Sequence, residues 1–484
     1  MNHLHFMGIA GIGMSGLARW AYADGLQVSG CDVSDGAAVD SLRACGIPVN
    51  IGHDPSHLDI VINNQPVDTL VCSMAVPRQH PEVVAARARG ITVRYRIDLL
   101  AEFLARRRAI AITGTHGKST TTGMVSHVFL GCDADPSVLV GGHLPWLVKA
   151  AAHTPHSRVT ASNVHYGSGD AFVAEVDESD PGFANIASEL AIITNLEDDH
   201  IAGDFDERRN YHASLADLEN AMLTFAGRAK QVLYCADWEA LKPLAAQGIS
   251  YGLSDSATYR ASDISLTGSG TTFTLRYPAV RDAHDEPVTW QSLEVSLAVP
   301  GLHNVQNGVA ALAAAHMFGL DMPQASQALA TFTGVGRRWQ RTGSINNALI
   351  IDDYAHHPTE VGVTLEAARR TGRRVRAILQ PHRWVRTARH WPALADAAGL
   401  ADEVIVLDVY AAGEKAIPGV SPDMIVERLQ DAGKQASYHD FASAEAYLSD
   451  SLESNDLIIT LGAGDVWKVG QNLLQACGGD DGSA

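Results

Sequence analysis

The sequence predicts an α/β protein of three domains, each built on a mainly parallel sheet. Three observations point there. Short apolar runs alternate with helix-length segments along the chain, two of those runs end in glycine-rich turns that open a helix, and 484 residues exceed one ordinary core. Hydrophobic residues at 46% and charged residues at 19% suit a globular chain.

The first block, residues 1–108, opens with the strand-like Leu4-His5-Phe6-Met7-Gly8-Ile9, a glycine turn and the helix-like Met14 to Trp20. A second strand ends at Asp32, and Arg106-Arg107-Arg108 reads as a helix end and linker. The second block, residues 109–335, begins with the strand Ala109 to Thr113. It continues through strands at Ala171–Ala174 and Leu190–Thr194, a β-rich insertion around 258–298, and an alanine-rich helix after Pro300-Gly301. Residues 151–169, rich in Ser, Thr, His and Gly, read as a surface loop. The third block, residues 336–484, places strands at Leu349–Ile351, Val375–Leu379, Val404–Leu407 and Leu457–Thr460, and its tail from Gly478 reads as disordered.

A formal net charge of -19 excludes a broad nucleic-acid surface. The six cysteines are scattered without a Cys-x-x-Cys pair, which suits reduced thiols and a cytoplasmic location. No apolar run is long enough to span a membrane, and the N-terminus lacks the pattern of a secretory signal.

Gly11-Ile12-Gly13-Met14-Ser15-Gly16 lies between a strand and a helix, with Asp32 at the end of the next strand. The glycines let the backbone approach a diphosphate, the helix start supplies N–H donors, and Asp32 stands where a ribose hydroxyl would bind. Taken alone this suggests a nicotinamide cofactor, with a tight packing turn as the alternative. Thr113-Gly114-Thr115-His116-Gly117-Lys118-Ser119-Thr120 is more specific, because strand, glycine loop, Lys-Ser and helix occur in order. Its amides would cradle phosphates, Lys118 would neutralise charge at the transferring group, and Ser119 offers a hydroxyl to Mg²⁺. Ile112 occupies the place of the first glycine of the full phosphate-loop pattern.

Two acidic clusters follow strands, Glu175 to Asp180 and Asn195 to His200, where carboxylates and an imidazole would hold Mg²⁺ against ATP phosphates. Solvated loop acids are the alternative. In the third block Asp352 to Pro358 and Gln380 to Thr387 also follow strands. Arg383 and Arg386, three apart, would share a helical face and grip a carboxylate or phosphate, unless they serve an unrelated surface role.

At these residues, together with Gly301 to Asn307, Gly336-Arg337-Arg338 and Tyr410-Ala411-Ala412-Gly413-Glu414, the sequence resembles the muramyl ligase family over nearly its whole length. The resemblance implies a Rossmann-like N-terminal domain, a central P-loop ATPase-like domain and a Rossmann-like C-terminal domain. It also implies that the first glycine turn holds the UDP of a sugar substrate rather than a nicotinamide. By resemblance Gly11, Gly13, Met14, Ser15, Asp32 and Ser73 contact the UDP-sugar. Residues 114–120 bind ATP, and Ser119, Glu178 and His200 hold Mg²⁺. Asn304 and Asn307 lie by the adenine, Arg338 by the γ-phosphate and Asp353 by the ribose, while Tyr354, His356, Arg383 and Arg386 form an amino-acid pocket. Lys118, Glu178, His200 and Arg338 carry the catalytic roles.

The implied reaction joins L-alanine to the lactyl carboxylate of UDP-N-acetylmuramate through an acyl phosphate, in a monomer or homodimer. An enzyme adding a recycled peptide to the same sugar nucleotide is the nearest alternative, and a nucleotide-binding regulator without catalysis is another. Departures from the family pattern are Ala10, Ser119 and the run Ile201-Ala202-Gly203-Asp204. No lysine lies between His200 and Lys230, so the carbamylated lysine of some relatives is not expected.

Overall fold

The structure, a computed structural model, describes residues 1–73, 76–154, 159–201, 212–268, 270–279 and 289–481. The chain divides into two compact units: Met1–Ser262 with Thr274–Val295 and Gln306–Ala330, and Asp263–Phe273 with Ser296–Val305 and Thr331–Ala484.

The first sheet holds β1 (His3–Met7), β2 (Gln27–Asp32), β3 (Val49–Ile51), β6 (Thr69–Cys72) and β7 (Thr92–Tyr95); β4 (Val61–Ile62) and β5 (Gln65–Pro66) form a separate hairpin. Its order is β3-β2-β1-β6-β7, parallel throughout. The winding reverses at β1, which opens a crevice between the carboxyl ends of β1 and β6.

The second sheet starts at β8 (Arg108–Thr113) and adds β9 (Ser137–Leu139), β10 (Val164–His165), β11 (Ala171–Glu175), β12 (Ser188–Ile193), β13 (Ala229–Cys235), β14 (Ile249–Gly252), β15 (Tyr259–Leu266), β16 (Thr271–Pro278) and β17 (Trp290–Leu297). The order is β10-β9-β11-β8-β12-β13-β14-β15-β16-β17. β8 lies parallel between β11 and β12, and all three are near-continuous buried runs, as a sheet covered on both faces demands. The β-rich insertion read at 258–298 is β15 to β17; residues 269 and 280–288 of it lie outside the described residues.

The first two blocks pack together, and aromatic burial explains why. Trp20, 1% exposed, sits 4.6 Å from the Phe103 ring, 5.0 Å from Phe172 and 5.0 Å from Tyr166. Arg107 donates to the carbonyls of Gly167 and Gly169 at 2.8 and 2.7 Å. A Cβ at Gly16 would come within 2.8 Å of Leu139 Cδ1 and 3.0 Å of Asn163 Nδ2, so a larger residue would have to push these side chains aside. Residues 151–169 are therefore not simply a surface loop: Val164–His165 form a strand antiparallel to β9, and Asn163 and His165 are buried. His165 pairs with Thr160 at 2.9 Å and Asp135 at 2.8 Å, so its polarity is satisfied inside rather than by water. Residues 155–158 lie outside the described residues.

The third sheet comprises β18 (Gln340–Ile345), β19 (Ala348–Asp353), β20 (Arg374–Leu379), β21 (Glu403–Val406), β22 (Gln435–Tyr438), β23 (Asp456–Leu461) and β24 (Asp480–Asp481), in the order β22-β21-β20-β23-β19-β18-β24. The strands β19 to β23 are parallel, and β18 joins β19 through Asn346-Asn347, both at positive φ. The tail expected to be disordered is corrected in part: Asp480 and Asp481 pair with Ser344 and Gly343 at the sheet edge. Main-chain pairing there needs no apolar side chain. Residues 482–484 lie outside the described residues.

Trp20→Ala should cost about 3–5 kcal/mol of the first unit's stability in chemical denaturation. A loss below about 1 kcal/mol would contradict the anchoring role given to this ring.

Candidate active site

The carboxyl ends of β8, β11 and β12 meet at the phosphate loop. β8 runs into Gly114 to Gly117, and the helix Lys118–Gly131 follows with Gly117 as its N-cap. Gly114 has φ +132°, and a Cβ there would lie 2.1 Å from Thr194 Oγ1. The loop is strapped to the segment after β12. Thr194 Oγ1 donates to the His116 carbonyl at 2.7 Å, Asn195 Nδ2 donates to it at 2.9 Å, and the His116 amide donates to Asn195 Oδ1 at 2.7 Å. The His116 ring pairs with Glu197 at 2.7 Å.

Lys118 Nζ lies 2.7 Å from Glu178 Oε2 and donates to the carbonyls of Gly114 and Thr115 at 2.8 and 3.1 Å. Burial works against its charge, but Glu178, Asp177 and Glu175 outweigh that and raise its pKa above the ordinary lysine value. Burial pushes the Glu175 carboxyl up against the pull of Lys118. Asp177 is half-buried, and desolvation pushes its pKa up, yet Lys118, His200 and Arg96 hold it down at about 2. His200 Nδ1 reaches Glu178 Oε1 at 3.1 Å, and its backbone takes φ +60°. His212 Nε2 pairs with the Glu178 carbonyl at 2.8 Å. Ser119 and Thr120 lie half-buried on the first turn of the helix. The expected metal group of Ser119, Glu178 and His200 thus clusters around Lys118; of the run after His200, residues 202–204 lie outside the described residues. Asn307 sits at the same loop: its Oδ1 accepts from Thr121 at 3.1 Å and would lie 2.9 Å from a Cβ on Gly117.

In the first block the glycine turn is closed by Asp32, whose carboxylate accepts from the amides of Ala10 at 2.9 Å and Ser34 at 3.2 Å. Gly11 is exposed, Gly13 half-buried and Met14 buried. Ser15 Oγ donates to the Ile12 carbonyl at 3.1 Å, and Asn163 reaches both groups. Ser73, half-buried, follows β6 on the other side of the crevice. The Arg96 guanidinium lies 3.1 Å from where a Gly13 Cβ would stand and acts electrostatically on Asp177 and Asp180. It therefore stands between the glycine turn and the acid cluster.

The second unit assembles its own group beyond the ends of β19 and β20. Arg338 donates to Glu360 at 3.1 Å; burial opposes its charge, but Glu360 and Asp353 raise its pKa. Asp353 accepts from the amides of Ala355 at 2.8 Å and Trp339 at 2.7 Å. Tyr354 and His356 rings lie 5.3 Å apart, His356 and His382 a further 5.3 Å, and His382 stacks on Tyr410. Arg386 donates to His382 Nδ1 at 3.2 Å, while Arg383 pairs with Glu414, whose other oxygen accepts from the Val385 amide at 3.1 Å. Burial, then His356 and the two arginines, push His382 down to about 2, so it stays neutral and accepts from Arg386. Asn304 is buried and donates to the Pro300 carbonyl at 2.7 Å.

Sequence reasoning missed Thr194, Arg96, Asn163 and His212, and read Asn195 only as part of an acidic cluster. The available signal was the polar Thr194-Asn195 pair after an apolar strand, directly beyond the sheet edge where the phosphate loop lies.

Three family models match the chain: Mur ligase family, catalytic domain, over residues 3–108; Mur ligase middle domain over 112–315; and Mur ligase, glutamate ligase domain, over 337–464. The chain belongs to the Mur ligase family. It is 42% identical over 480 residues to the UDP-N-acetylmuramate–L-alanine ligase of Deinococcus radiodurans, covering 98% of this chain and 93% of that one. The enzyme of that name from Acidothermus cellulolyticus is 36% identical, covering 96% and 92%. Among solved structures, the UDP-N-acetylmuramate-alanine ligase of Thermotoga maritima superposes with a TM-score of 0.79 at 29% identity, covering 98% and 99%. A murein peptide ligase from Psychrobacter arcticus gives 0.67 at 26%, covering 99% of each chain.

Burial, only partly offset by Arg338 and the two amides, pushes the Asp353 carboxyl up to about 6. The folded state thus holds this proton more tightly than the unfolded chain. Its contribution to stability is full below the unfolded value of about 4 and is lost as pH rises through about 6. Denaturation of Asp353→Asn across pH 4 to 7 should lack that part of the decline seen in the unaltered protein; identical slopes would contradict the shift.

Proposed function

We propose that this chain is an ATP-dependent ligase that joins L-alanine to the lactyl carboxylate of UDP-N-acetylmuramate, a step of peptidoglycan precursor synthesis. The observation that carries the reading is 42% identity, over 98% of the chain, to a relative of that name. We place its domains at 1–108 for the UDP-sugar, 109–335 for ATP and 336–484 for the amino acid, in keeping with three family models over 3–108, 112–315 and 337–464.

The carboxylate is a poor electrophile and must be activated. Its oxygen attacks the γ-phosphorus of ATP, ADP leaves, and the resulting acyl phosphate is attacked by the alanine amine. The tetrahedral intermediate expels phosphate, leaving the amide. Lys118 is the first residue this chemistry needs. Its ammonium is held by Glu178 and two loop carbonyls, and it would exchange these for ATP phosphates cradled by the amides of residues 114–117. The carboxylates it leaves fit a divalent cation: one ammonium faces Glu175, Asp177 and Glu178, with the Ser119 hydroxyl and His200 beside them. Ser119, Glu178 and His200 would hold Mg²⁺, which when bound spreads the negative charge of the transferring phosphoryl group. Asn304, Asn307 and Asp353 are assigned to the nucleoside and Arg338 to the γ-phosphate. Asn307 meets the phosphate loop directly, which also suits a role in seating that loop.

Gly11, Gly13, Met14, Ser15, Asp32 and Ser73 are assigned to the UDP-sugar at the crevice of the first sheet. Tyr354, His356, Arg383 and Arg386 are assigned to alanine. Arg383 and Arg386 would bind its carboxylate, and the neutral His382 orients Arg386 without adding charge.

Phosphate release should require ATP, Mg²⁺, UDP-N-acetylmuramate and an amino acid, with alanine preferred over glycine, serine and the tripeptide. No release with any of these acceptors would overturn the ligase reading, and preference for the tripeptide would assign the chain to peptide recycling. Lys118→Ala should lower kcat at least about 10²- to 10³-fold, and near-normal turnover would refute its role. Arg383→Ala should raise KM for alanine about 10- to 100-fold, the loss of one charge-assisted contact. A rise confined to KM for ATP would move that residue out of the amino-acid pocket.

A further inference from the structure

Behind the glycine turn of the first sheet lies a second cluster that the ligase chemistry does not use. His5 on β1, Cys31 on β2, His57 in the turn Pro55–Asp59 and Glu82 on the helix Pro81–Ala88 each offer one ligand atom, all within 4.8 Å of one another. His5, Cys31 and Glu82 are fully buried and His57 is half-buried.

Proton accounting shows what one of these groups lacks. His3 Nδ1 lies 3.0 Å from the Gln65 carbonyl, which only accepts, so His3 carries its proton there. In the neutral form that burial favours, its Nε2 is then an acceptor, and Ser29 Oγ, 2.9 Å away, must donate to it. With its single proton spent, Ser29 can only accept from His5 Nδ1, also 2.9 Å away. His5 is thereby fixed with its proton on Nδ1 and a bare lone pair on Nε2. That nitrogen is buried and has no hydrogen-bond partner. A fixed tautomer with one free imidazole nitrogen is what hydrogen bonding beyond the coordination sphere does for metal-binding histidines.

The rest of the cluster is equally short of a positive charge. The Glu82 carboxylate is 0% exposed, and its ion-pair partners among the described residues are His53 and His57, which are charged only when protonated. Cys31 Sγ stands 3.6 Å from each Glu82 oxygen, and His57 Nδ1 stands 3.1 Å from Oε1. Tetrahedral zinc, with Zn–S near 2.3 Å and Zn–N or Zn–O near 2.0–2.1 Å, sets its ligand atoms about 3.3–3.6 Å apart. A thiolate and a carboxylate also balance the charge of a divalent ion, and sulfur with imidazole selects zinc over magnesium or calcium.

We infer that His5, Cys31, His57 and Glu82 form a binding site for a four-coordinate transition-metal ion of the zinc type. Binding releases the Cys31 thiol proton to solvent and ties β1, β2 and the helix Pro81–Ala88 together. The Cys31 carbonyl accepts from the amides of Gly8 and Ile9 at 2.8 and 3.1 Å, so the ion would brace the turn that leads into Gly11. His53, 3.2 Å from the same sulfur, stands at the half-exposed mouth and could replace His57.

Co²⁺ titrated into chelator-treated full-length protein tests this. The expected result is one equivalent that carries a near-ultraviolet thiolate-to-cobalt charge-transfer band and the intense visible bands of tetrahedral cobalt, both abolished by Zn²⁺. Cobalt held only by the phosphate-loop acids would show no thiolate band. Cys31→Ser should lose the band. Because that buried change could impair folding, the half-exposed pair His53→Gln with His57→Gln provides a second variant, in which Co²⁺ affinity should fall by about tenfold or more while circular dichroism is unchanged. Absence of a thiolate band in the folded unaltered protein, its survival in Cys31→Ser, or undiminished affinity in the double variant would overturn the inference.

Discussion

Lys118 sets the terms for the rest of this active site. One ammonium lies among Glu175, Asp177 and Glu178, with its remaining donors on Gly114 and Thr115, and the arrangement leaves an excess of negative charge. Such a nest is costly to bury unless something positive completes it. A triphosphate with a divalent cation would do so, the phosphates taking the ammonium and the cation the carboxylates. The sheet order follows from the same demand, because only with β8 between β11 and β12 do the lysine and both acidic segments meet. The strap from Thr194 and Asn195 to His116 then holds the loop in place before any nucleotide arrives.

The second unit solves a related problem with the opposite sign. Arg383 and Arg386 are buried, but Glu414 takes the first and the neutral His382 takes the second. The neutral His382 adds no charge of its own beside Arg386, as a carboxylate-binding role would require, and its ring stacks on Tyr410. The same economy recurs at Arg338, whose contact with Glu360 is the kind of pair a phosphate can displace.

Much of this was legible in the chain. Parallel strands covered on both faces must be continuous apolar runs, so Ala109 to Thr113, Leu190 to Thr194 and Leu457 to Thr460 announced themselves. The phosphate loop was legible because strand, glycine and Lys-Ser stand in a fixed local order. What escaped was polar and long-range. β18 mixes Gln, Arg, Thr and Ser at a sheet margin, and Asp480-Asp481 pairs through its main chain alone. Asn163, His165 and His212 are buried with partners far away in sequence, and local polarity reads as exposure. The first glycine turn shows the other limit: its spacing specifies a diphosphate but not whose, and only the resemblance over the whole chain separated a UDP-sugar from a nicotinamide.

The central claim is that the sugar-linked carboxylate is activated as an acyl phosphate at the Lys118 site. The most direct measurement uses UDP-N-acetylmuramate labelled with ¹⁸O in the lactyl carboxylate, with ATP and L-alanine, and mass analysis of the phosphate released. The attacking carboxylate oxygen stays on phosphorus when the amine displaces it, so each phosphate should carry one oxygen from the carboxylate. Phosphate free of label, formed alongside the amide, would contradict the account.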